Sequence, residues 1–375
     1  KNASATEGWR LFDSMRGIIS NGVDARLFPD NSDAESPAAD YIDLTPTGFK
    51  LKDNGADING DAAIMTFIAI RRPDGYVGKP AEVGTDAFAM DTGAGSSTIP
   101  NFDSGFPVDF SSYKNPGGSG DWITGARLIS EKYLHFNTTG AESSSNVVTY
   151  DSNVGWSRDA GGNSGWQSWM WKRGAGFDLV TYTGKGSRQN IPHSLNQVPE
   201  MMWVKKTNAS DDWIVYHKGL NSGTTPQNYY IKLNGQDAEG PKQVWVETAP
   251  TATSFTVGGG SLANGTNDKF FAMLFASVEG ISKVGYYNGS NSNQTIEFGF
   301  SPRFVMIKRT DGYGDWSLFD TVRGWTIGNA QRLKTNASTA QANYNVGEPT
   351  STGMLLTESG DTSTENGRYI YYAHA

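Results

Sequence analysis

Four tryptophans recur at one position of a repeated pattern, and they are the first side chains in this sequence that could bind a ligand. Each follows a lysine by eight residues, as Lys1 with Trp9, Lys114 with Trp122, Lys205 with Trp213 and Lys308 with Trp316. An exposed indole face can stack on a sugar ring, whereas a buried indole fills a core and seeks one hydrogen-bond acceptor. Recurrence at one register in every copy favours the second role, so we predict four buried core rings.

A second group of tryptophans is concentrated in one part of the chain: Trp156, Trp166, Trp169 and Trp171. Trp169 and Trp171 share one face of a predicted strand, because side chains alternate along a strand. Three or four indoles exceed what one face of a sandwich normally needs. These four residues are therefore candidates for contact with a glycan or with another subunit, and a core role is the alternative.

Two Asp–Arg pairs have the same spacing of three residues, Asp13 with Arg16 and Asp320 with Arg323. Either pair could belong to a ligand site. The planar fork of arginine also suits a carboxylate close by in the chain, where it braces a turn. We predict structural ion pairs at both places.

Metal and acid–base chemistry find little support. Asp311 and Asp315 lie in a glycine-rich loop that could offer oxygens to calcium, but the other copies do not repeat their spacing. The four histidines fall at unrelated offsets, which gives no zinc or general-base constellation: His135, His193, His217 and His374. Paired glycosidase carboxylates are not indicated either. We predict no catalytic residue, no metal and no cofactor.

An internal repeat positions these residues. Residues 9–17 match residues 316–324 without a gap, and the Lys–Trp offset extends the repeat to four copies. The predicted units are residues 1–71, 72–176, 177–279 and 280–375, called units 1 to 4 below. Unit 1 lacks the opening strands, and unit 2 is divergent with a long lead-in.

Within each unit, short apolar segments with period-two alternation predict strands with both faces largely buried. The chain has 45 glycines and 12% aromatic residues, and Asn-Gly pairs recur between the apolar segments, as in hairpin turns. We equate 180–184 of unit 3 with 284–289 of unit 4 as opening strands. The sequence predicts an all-β protein of tandem β-sandwich-like domains, each long enough to close its own core.

Composition excludes several classes of protein. The formal net charge is −8 and the chain has no cysteine, which excludes a disulfide scaffold and disfavours nucleic acid as a partner. No apolar run approaches the roughly 20 residues of a membrane-spanning helix. We expect no nucleic-acid binding and no membrane insertion.

The sequence of 304–324, with the stretch 40–49, the linker 275–285 and the closing residues 369–375, resembles a β-module repeated in virion structural proteins of tailed bacteriophages, especially marine ones. The resemblance implies a tail fibre, tail tip or capsid-attached fibre located on the virion. It implies other copies of this chain as partners, a trimer above all, together with other virion proteins, and a host-surface glycan is a further candidate. The alternatives are a secreted, lectin-like glycan-binding array and a polysaccharide depolymerase.

Unit 1 begins at the lysine that follows the Pro-led strand in units 3 and 4. Its sheet would expose an unpaired edge, and such edges are normally covered. We expect that Lys1 is not the biological N-terminus. A preceding segment, or a strand from a neighbouring subunit, would complete unit 1 by β-augmentation.

Overall fold

The computed structural model describes residues 1–20, 22–45, 48–70, 81–94, 100–129, 131–144, 148–158, 163–357 and 360–375. These residues form mainly short antiparallel strands, so the all-β prediction is confirmed. Helical structure in these ranges is limited to the single turn Ser261–Asn264 (α1) and to the 3₁₀ segments Gly84–Asp86, Arg127–Ile129, Leu220–Gly223 and Pro226–Asn228. None of these helices is long and apolar enough to cross a membrane.

Unit 1 contributes two separate hairpin-like pairs. Its strands are Asp24–Arg26 (β1), Ser36–Ala39 (β2), Ile42–Thr45 (β3) and Gly48–Leu51 (β4). Strand β1 pairs with β2, and β3 pairs with β4. The apolar segment 63–70 at the end of unit 1 makes an isolated bridge between Met65 and Asn2 in place of a strand ladder. Its cross-strand backbone partners among the described residues are Lys1 to Ala3, which correspond to the end of the strand that carries Lys308 in unit 4.

Unit 2 contains a six-stranded and a three-stranded sheet. Its strands are Phe88–Thr92 (β5), Phe102–Asp103 (β6), Phe110–Lys114 (β7), Ile123–Ala126 (β8), Lys132–His135 (β9), Ser143–Ser144 (β10), Val148–Thr149 (β11), Gly155–Arg158 (β12) and Gln167–Trp171 (β13). The large sheet has the order β5-β13-β7-β8-β9-β10, and the small one β11-β12-β6.

Unit 3 repeats this arrangement. Its strands are Phe177–Thr183 (β14), Gln189–Pro192 (β15), Met201–Lys206 (β16), Ile214–His217 (β17), Tyr229–Lys232 (β18), Gly240–Pro241 (β19), Ser254–Val257 (β20) and Lys269–Phe275 (β21). The large sheet has the order β14-β21-β16-β17-β18-β19, and β15 pairs with β20.

Unit 4 has the same order again. Its strands are Ser282–Asn288 (β22), Gln294–Glu297 (β23), Phe304–Arg309 (β24), Trp316–Asp320 (β25), Ala330–Lys334 (β26), Ala342–Tyr344 (β27), Gly347–Pro349 (β28), Gly353–Leu356 (β29) and Arg368–His374 (β30). The large sheet runs β22-β30-β24-β25-β26-β27, and the small sheet β23-β29-β28. The last strand of each unit is called its closing strand, and the strand that carries Lys114, Lys205 or Lys308 is called its lysine strand. In each large sheet the closing strand, which is β13, β21 or β30, lies between the first strand of the unit and the lysine strand.

Each large sheet is apolar on both faces, and the two faces belong to different cores. In β24, Phe304 and Met306 point into the largest apolar cluster, whereas Val305 and Ile307 point into a cluster confined to unit 4. The small sheet of each unit covers only the second face. The first face must therefore be buried against another unit.

The largest cluster is common to units 2, 3 and 4. Its aromatic members include Trp122, Trp169, Trp171, Trp203, Trp213, Phe275, Phe304, Trp316 and Tyr372. Units 2 to 4 also have smaller clusters of their own. The expectation that each unit closes its core alone is therefore wrong, because half of each central sheet is buried only by its neighbours.

The pairing register aligns the predicted opening strands of units 3 and 4 residue by residue. Phe177 lies opposite Phe275 in unit 3, and Ser282 lies opposite His374 in unit 4. Because Lys205 and Lys308 fix the register of the closing strands, Val284 corresponds to Leu179 rather than to Val180. A slip of one residue moves a side chain to the other face, and Leu179 and Val284 both lie in the common cluster.

Candidate assembly interface between the repeat units

The recurrent tryptophans of units 2, 3 and 4 join one unit to the next. Each ring is buried, and its indole N–H donates to a main-chain carbonyl of another unit at 2.8 Å, Trp122 to Lys334, Trp213 to His135 and Trp316 to Lys232. Unit 2 thus donates to unit 4, unit 4 to unit 3, and unit 3 to unit 2. Three equivalent contacts close a cycle, which we call the three-unit ring.

The lysine eight residues before each tryptophan makes a second contact of the same cycle. Its ammonium donates to a carbonyl of the neighbouring unit, Lys114 to Ser338 at 2.9 Å, Lys205 to Thr139 at 2.9 Å and Lys308 to Gln236 at 3.1 Å. It also donates to the carbonyl six residues further along its own chain, at Gly120, Asp211 and Gly314. The backbone N–H of these last residues bonds the same neighbouring carbonyls.

Burial governs the electrostatics of these lysines. All three side chains are within the protein, and removal from water lowers the pKa of Lys114, Lys205 and Lys308 to about 8. Nearby carboxylates, such as that of Asp315 for Lys308, oppose the shift. Each ammonium donates mainly to main-chain carbonyls, an arrangement that suits a structural contact between two units.

The predicted ion pair of unit 4 lies at an interface of the ring. The guanidinium of Arg323 contacts Asp320 at 2.6 Å, and both side chains are buried. The indole of Trp169 in unit 2 donates to the same carboxylate at 3.1 Å. The pair therefore fixes its own turn and also supplies an acceptor to a neighbouring unit.

The counterparts in unit 1 have different surroundings. Arg16 contacts Asp13 at 2.5 Å, but about a third of each side chain is exposed. Trp9 is 39% exposed, which contradicts the prediction of a fourth core ring. The reason is positional, since no unit in the described part of the chain covers that face of unit 1.

The tryptophan group of unit 2 is mostly internal. Trp156, Trp169 and Trp171 are buried, so they cannot contact a glycan in this fold. Trp156 belongs to the core of unit 2 itself, whereas Trp169 and Trp171 pack in the common core against other units. Trp166 is half-buried beside Tyr113 and Arg158. The abundance of indoles is explained by a strand that serves two cores.

The other groups considered for chemistry have structural partners. Asp311 contacts Arg309 at 2.7 Å. Burial raises the pKa of Asp315, but bonds from Lys334, Asn336 and Gln236 outweigh it and hold that pKa below its usual value. Among the described residues, no group of three or more acidic or histidine side chains could hold a metal ion.

A cleft of about 420 Å³ lies where unit 1 meets units 2 and 3. Its wall includes Lys50 and Asp43 of unit 1, and Lys185 and Lys269 of unit 3, around the ring of Phe270. Phe270 itself is buried, so the exposed lysines Lys50 and Lys185 are the groups that could contact a polar ligand. No sequence motif indicated this cleft, because it forms where separate units meet.

The comparisons with known proteins concern the second half of the chain. Residues 168–375, more than half of the sequence, match the family described as Domain of unknown function (DUF7483). The chain belongs to this family. The DUF7483 match includes all of units 3 and 4, and so the complete interface between them. No curated protein matches the chain.

The sequence located the donors of this interface but not its acceptors. The Lys–Trp offset is visible because it uses distinctive side chains. The acceptors are main-chain carbonyls, which every residue carries, so no residue type marks them. One weak signal exists. In the DUF7483 region an asparagine lies two residues after each indole acceptor, and its side chain accepts the backbone N–H of the recurrent tryptophan, as Asn336 does for Trp316 at 2.8 Å.

Proposed function

We propose that this protein is a bacteriophage virion structural protein, part of a tail fibre, tail tip or capsid-attached fibre that takes part in attachment to the host surface. The observation that carries the proposal is the three-unit ring. In it, the recurrent tryptophans and lysines bind main-chain carbonyls of a neighbouring unit. The resemblance of the sequence to phage modules supports the same role. We propose a non-enzymatic protein.

The packing supports a load-resisting part better than a catalyst. Three sheets share one aromatic core, and each interface adds an indole bond and a lysine bond to buried carbonyls. Such a block is rigid because core packing and satisfied polar groups both specify one arrangement. A projecting fibre needs that property.

The location of the protein can be tested on particles. Antibodies against the recombinant chain should label intact phage particles from cultures that produce this protein, with gold at the tail or at capsid fibres in electron micrographs. Protein present only in the particle-free supernatant would contradict the proposal and favour a secreted array.

A lectin-like array is the second candidate, and the cleft beside Lys185 and Phe270 is the observation that favours it. A glycan array would identify the ligand. Binding that is lost in Lys185→Ala and kept in Tyr313→Ala, which changes an exposed ring that does not line the cleft, would place the site there.

The enzyme question has its own test. We expect no release of reducing ends from host surface polysaccharides. Release that disappears when one Asp or Glu is replaced would overturn the non-enzymatic proposal and favour a depolymerase.

A further inference from the structure

Unit 1 retains the local half of the interface found in the three-unit ring. Lys1 donates to the carbonyl of Glu7, six residues along, as each ring lysine does. The backbone N–H of Trp9 donates to Asp30 at 3.1 Å, in the position where Asn336 accepts the N–H of Trp316. Neither bond requires a neighbour, so both can form in unit 1 alone.

The strand register of unit 1 matches that of unit 4. Asn2 bridges Met65 as Arg309 pairs with Tyr369, and Leu11 bridges Leu27 as Leu318 pairs with Leu333. Counting along the closing segment from Met65 places Ile68 where unit 4 has Tyr372. These pairs identify, residue by residue, the face of unit 1 that corresponds to the common core.

That face is exposed in unit 1. Trp9 and Leu11 are each 39% exposed and Ile68 is 81% exposed, whereas Trp316, Leu318 and Tyr372 are at most 3% exposed. Single apolar residues on a surface need no explanation, but several on one face indicate an interaction site.

We propose that unit 1 of two further copies of this chain covers this face, so that three chains form a second ring with the design of the three-unit ring. Units 2, 3 and 4 already bury the corresponding faces against one another, so these units do not supply the neighbours. Identical copies of unit 1 are the neighbours that the design of the three-unit ring favours.

The design assigns the intermolecular bonds. In each ring unit, the carbonyl that accepts the neighbour's indole N–H lies two residues before the side chain that accepts the backbone N–H of the unit's own tryptophan. In unit 4 these residues are Lys334 and Asn336. In unit 1 this rule gives Phe28, two residues before Asp30. The acceptor for the lysine lies four residues further on, as Ser338 follows Lys334, and this gives Ser32.

Each unit 1 therefore carries both halves of the contact. Trp9, Lys1 and the N–H of Glu7 are donors, and the carbonyls of Phe28 and Ser32 are acceptors. A contact between different halves of identical units is heterologous, and it closes into a ring when the rotation fits. The ring of units 2 to 4 shows that a third of a turn fits this β-unit.

The inference deepens the proposed fibre role, and the two can fail separately. A monomer found on particles would overturn the trimer and leave the virion role intact. A trimer absent from particles would do the reverse.

Sedimentation equilibrium of the full chain tests the subunit number. We expect three times the chain mass of 40.6 kDa at micromolar concentration. Leu11→Asp should give monomers with an unchanged melting temperature of the three-unit ring, while Ile327→Asp, a change at an exposed residue of unit 4, should leave the trimer. A monomeric or dimeric wild type, or a trimeric Leu11→Asp variant, would overturn the proposal.

A covalent test locates the contact, and the absence of native cysteine makes it clean. The N–H of Glu7 is assigned to the carbonyl of Ser32, and two residues joined by a backbone hydrogen bond lie close enough for their Cα atoms to suit a disulfide. The double variant Glu7→Cys with Ser32→Cys should therefore form disulfide-linked trimers on oxidation. Each single variant should give at most dimers, and a double variant that remains monomeric would contradict the assigned bonds.

Discussion

Units 1 and 4 carry nearly the same segment in different surroundings. In both, a side chain 20 or 21 residues further along accepts the backbone N–H of the tryptophan. In both, an aspartate four residues after the tryptophan pairs with an arginine. In unit 4 the indole of the tryptophan and the ion pair are buried, and in unit 1 both are partly exposed. The motif therefore specifies local geometry, and the neighbouring units determine burial and its energetic value.

Tryptophan truncation should give the largest contrast. Trp316→Ala should lower the free energy of unfolding by about 3–5 kcal/mol, because it removes a buried ring and leaves a cavity. Trp9→Ala should lower that of the three-unit ring by less than about 1 kcal/mol, because Trp9 is outside it. Denaturant titration of both variants measures the difference, and equal losses would break the comparison.

The two ion pairs should differ next. Asp320→Asn leaves the buried guanidinium of Arg323 without its charge partner, which we expect to cost about 3 kcal/mol. Asp13→Asn removes a pair with about a third of each side chain exposed and should cost less than about 1 kcal/mol. The thermal midpoints of the two variants report the contrast, and a harmless Asp320→Asn would contradict a tight interface.

Unit 3 has His217 at the position of these aspartates. Because of this histidine, the free energy of unfolding should depend on pH in the acidic range. The Nδ1 of His217 accepts the N–H of Gly219 at 2.9 Å, and its Nε2 lies 3.2 Å from the carbonyl of Tyr371, which fixes a neutral ring. Burial lowers the pKa of His217 to about 3, whereas the unfolded residue titrates near 6.5.

Between those values only the unfolded state takes up the proton, so stability falls as the pH falls below about 6.5. His217→Gln should reduce this loss by about 2.5 kcal/mol at pH 4.5. Urea titrations at pH 7 and 4.5 measure it, and an unchanged pH dependence in the variant would show that His217 is charged or exposed.

The ring lysines should give a smaller effect in the alkaline range. Because the pKa of Lys308 is about 8 in the folded protein and about 10.4 unfolded, the folded state loses its proton first. The free energy of unfolding should therefore rise between pH 8 and 9.5, by roughly 1 kcal/mol for each ring lysine. Lys308→Met should reduce the rise by about one third, because Lys114 and Lys205 still titrate in the same range. An unchanged slope in the variant would contradict the assignment.

Local features of the fold could be predicted from the sequence. Period-two alternation of Phe304 to Ile307 identified β24 and the burial of both its faces, because strand geometry links alternation directly to faces. The Lys–Trp offset identified equivalent positions in units 2 to 4. The ion pair of Asp320 and Arg323 followed from spacing and side-chain shape alone.

Features that depend on neighbouring units could not be predicted. The exposure of Trp9 and the burial of Trp316 follow from the presence or absence of a covering unit, and the two local sequences are nearly the same. The register of the opening strands could not be predicted either, because the segments 180–184 and 284–289 differ in length and only the pairing partners show that Val284 corresponds to Leu179. The acceptors at Lys232 and Gln236 use backbone atoms, which leave no pattern in a sequence.

The central claim is that units 2, 3 and 4 share one core and depend on one another. Native-state hydrogen exchange of the Trp316→Ala variant tests it most directly, with β8 of unit 2 and β17 of unit 3 as reporters. A shared core predicts that protection falls in all three units, since Trp316 belongs to the apolar cluster that the three units share. A loss of protection confined to unit 4 would show that the units are independent domains and would contradict the ring.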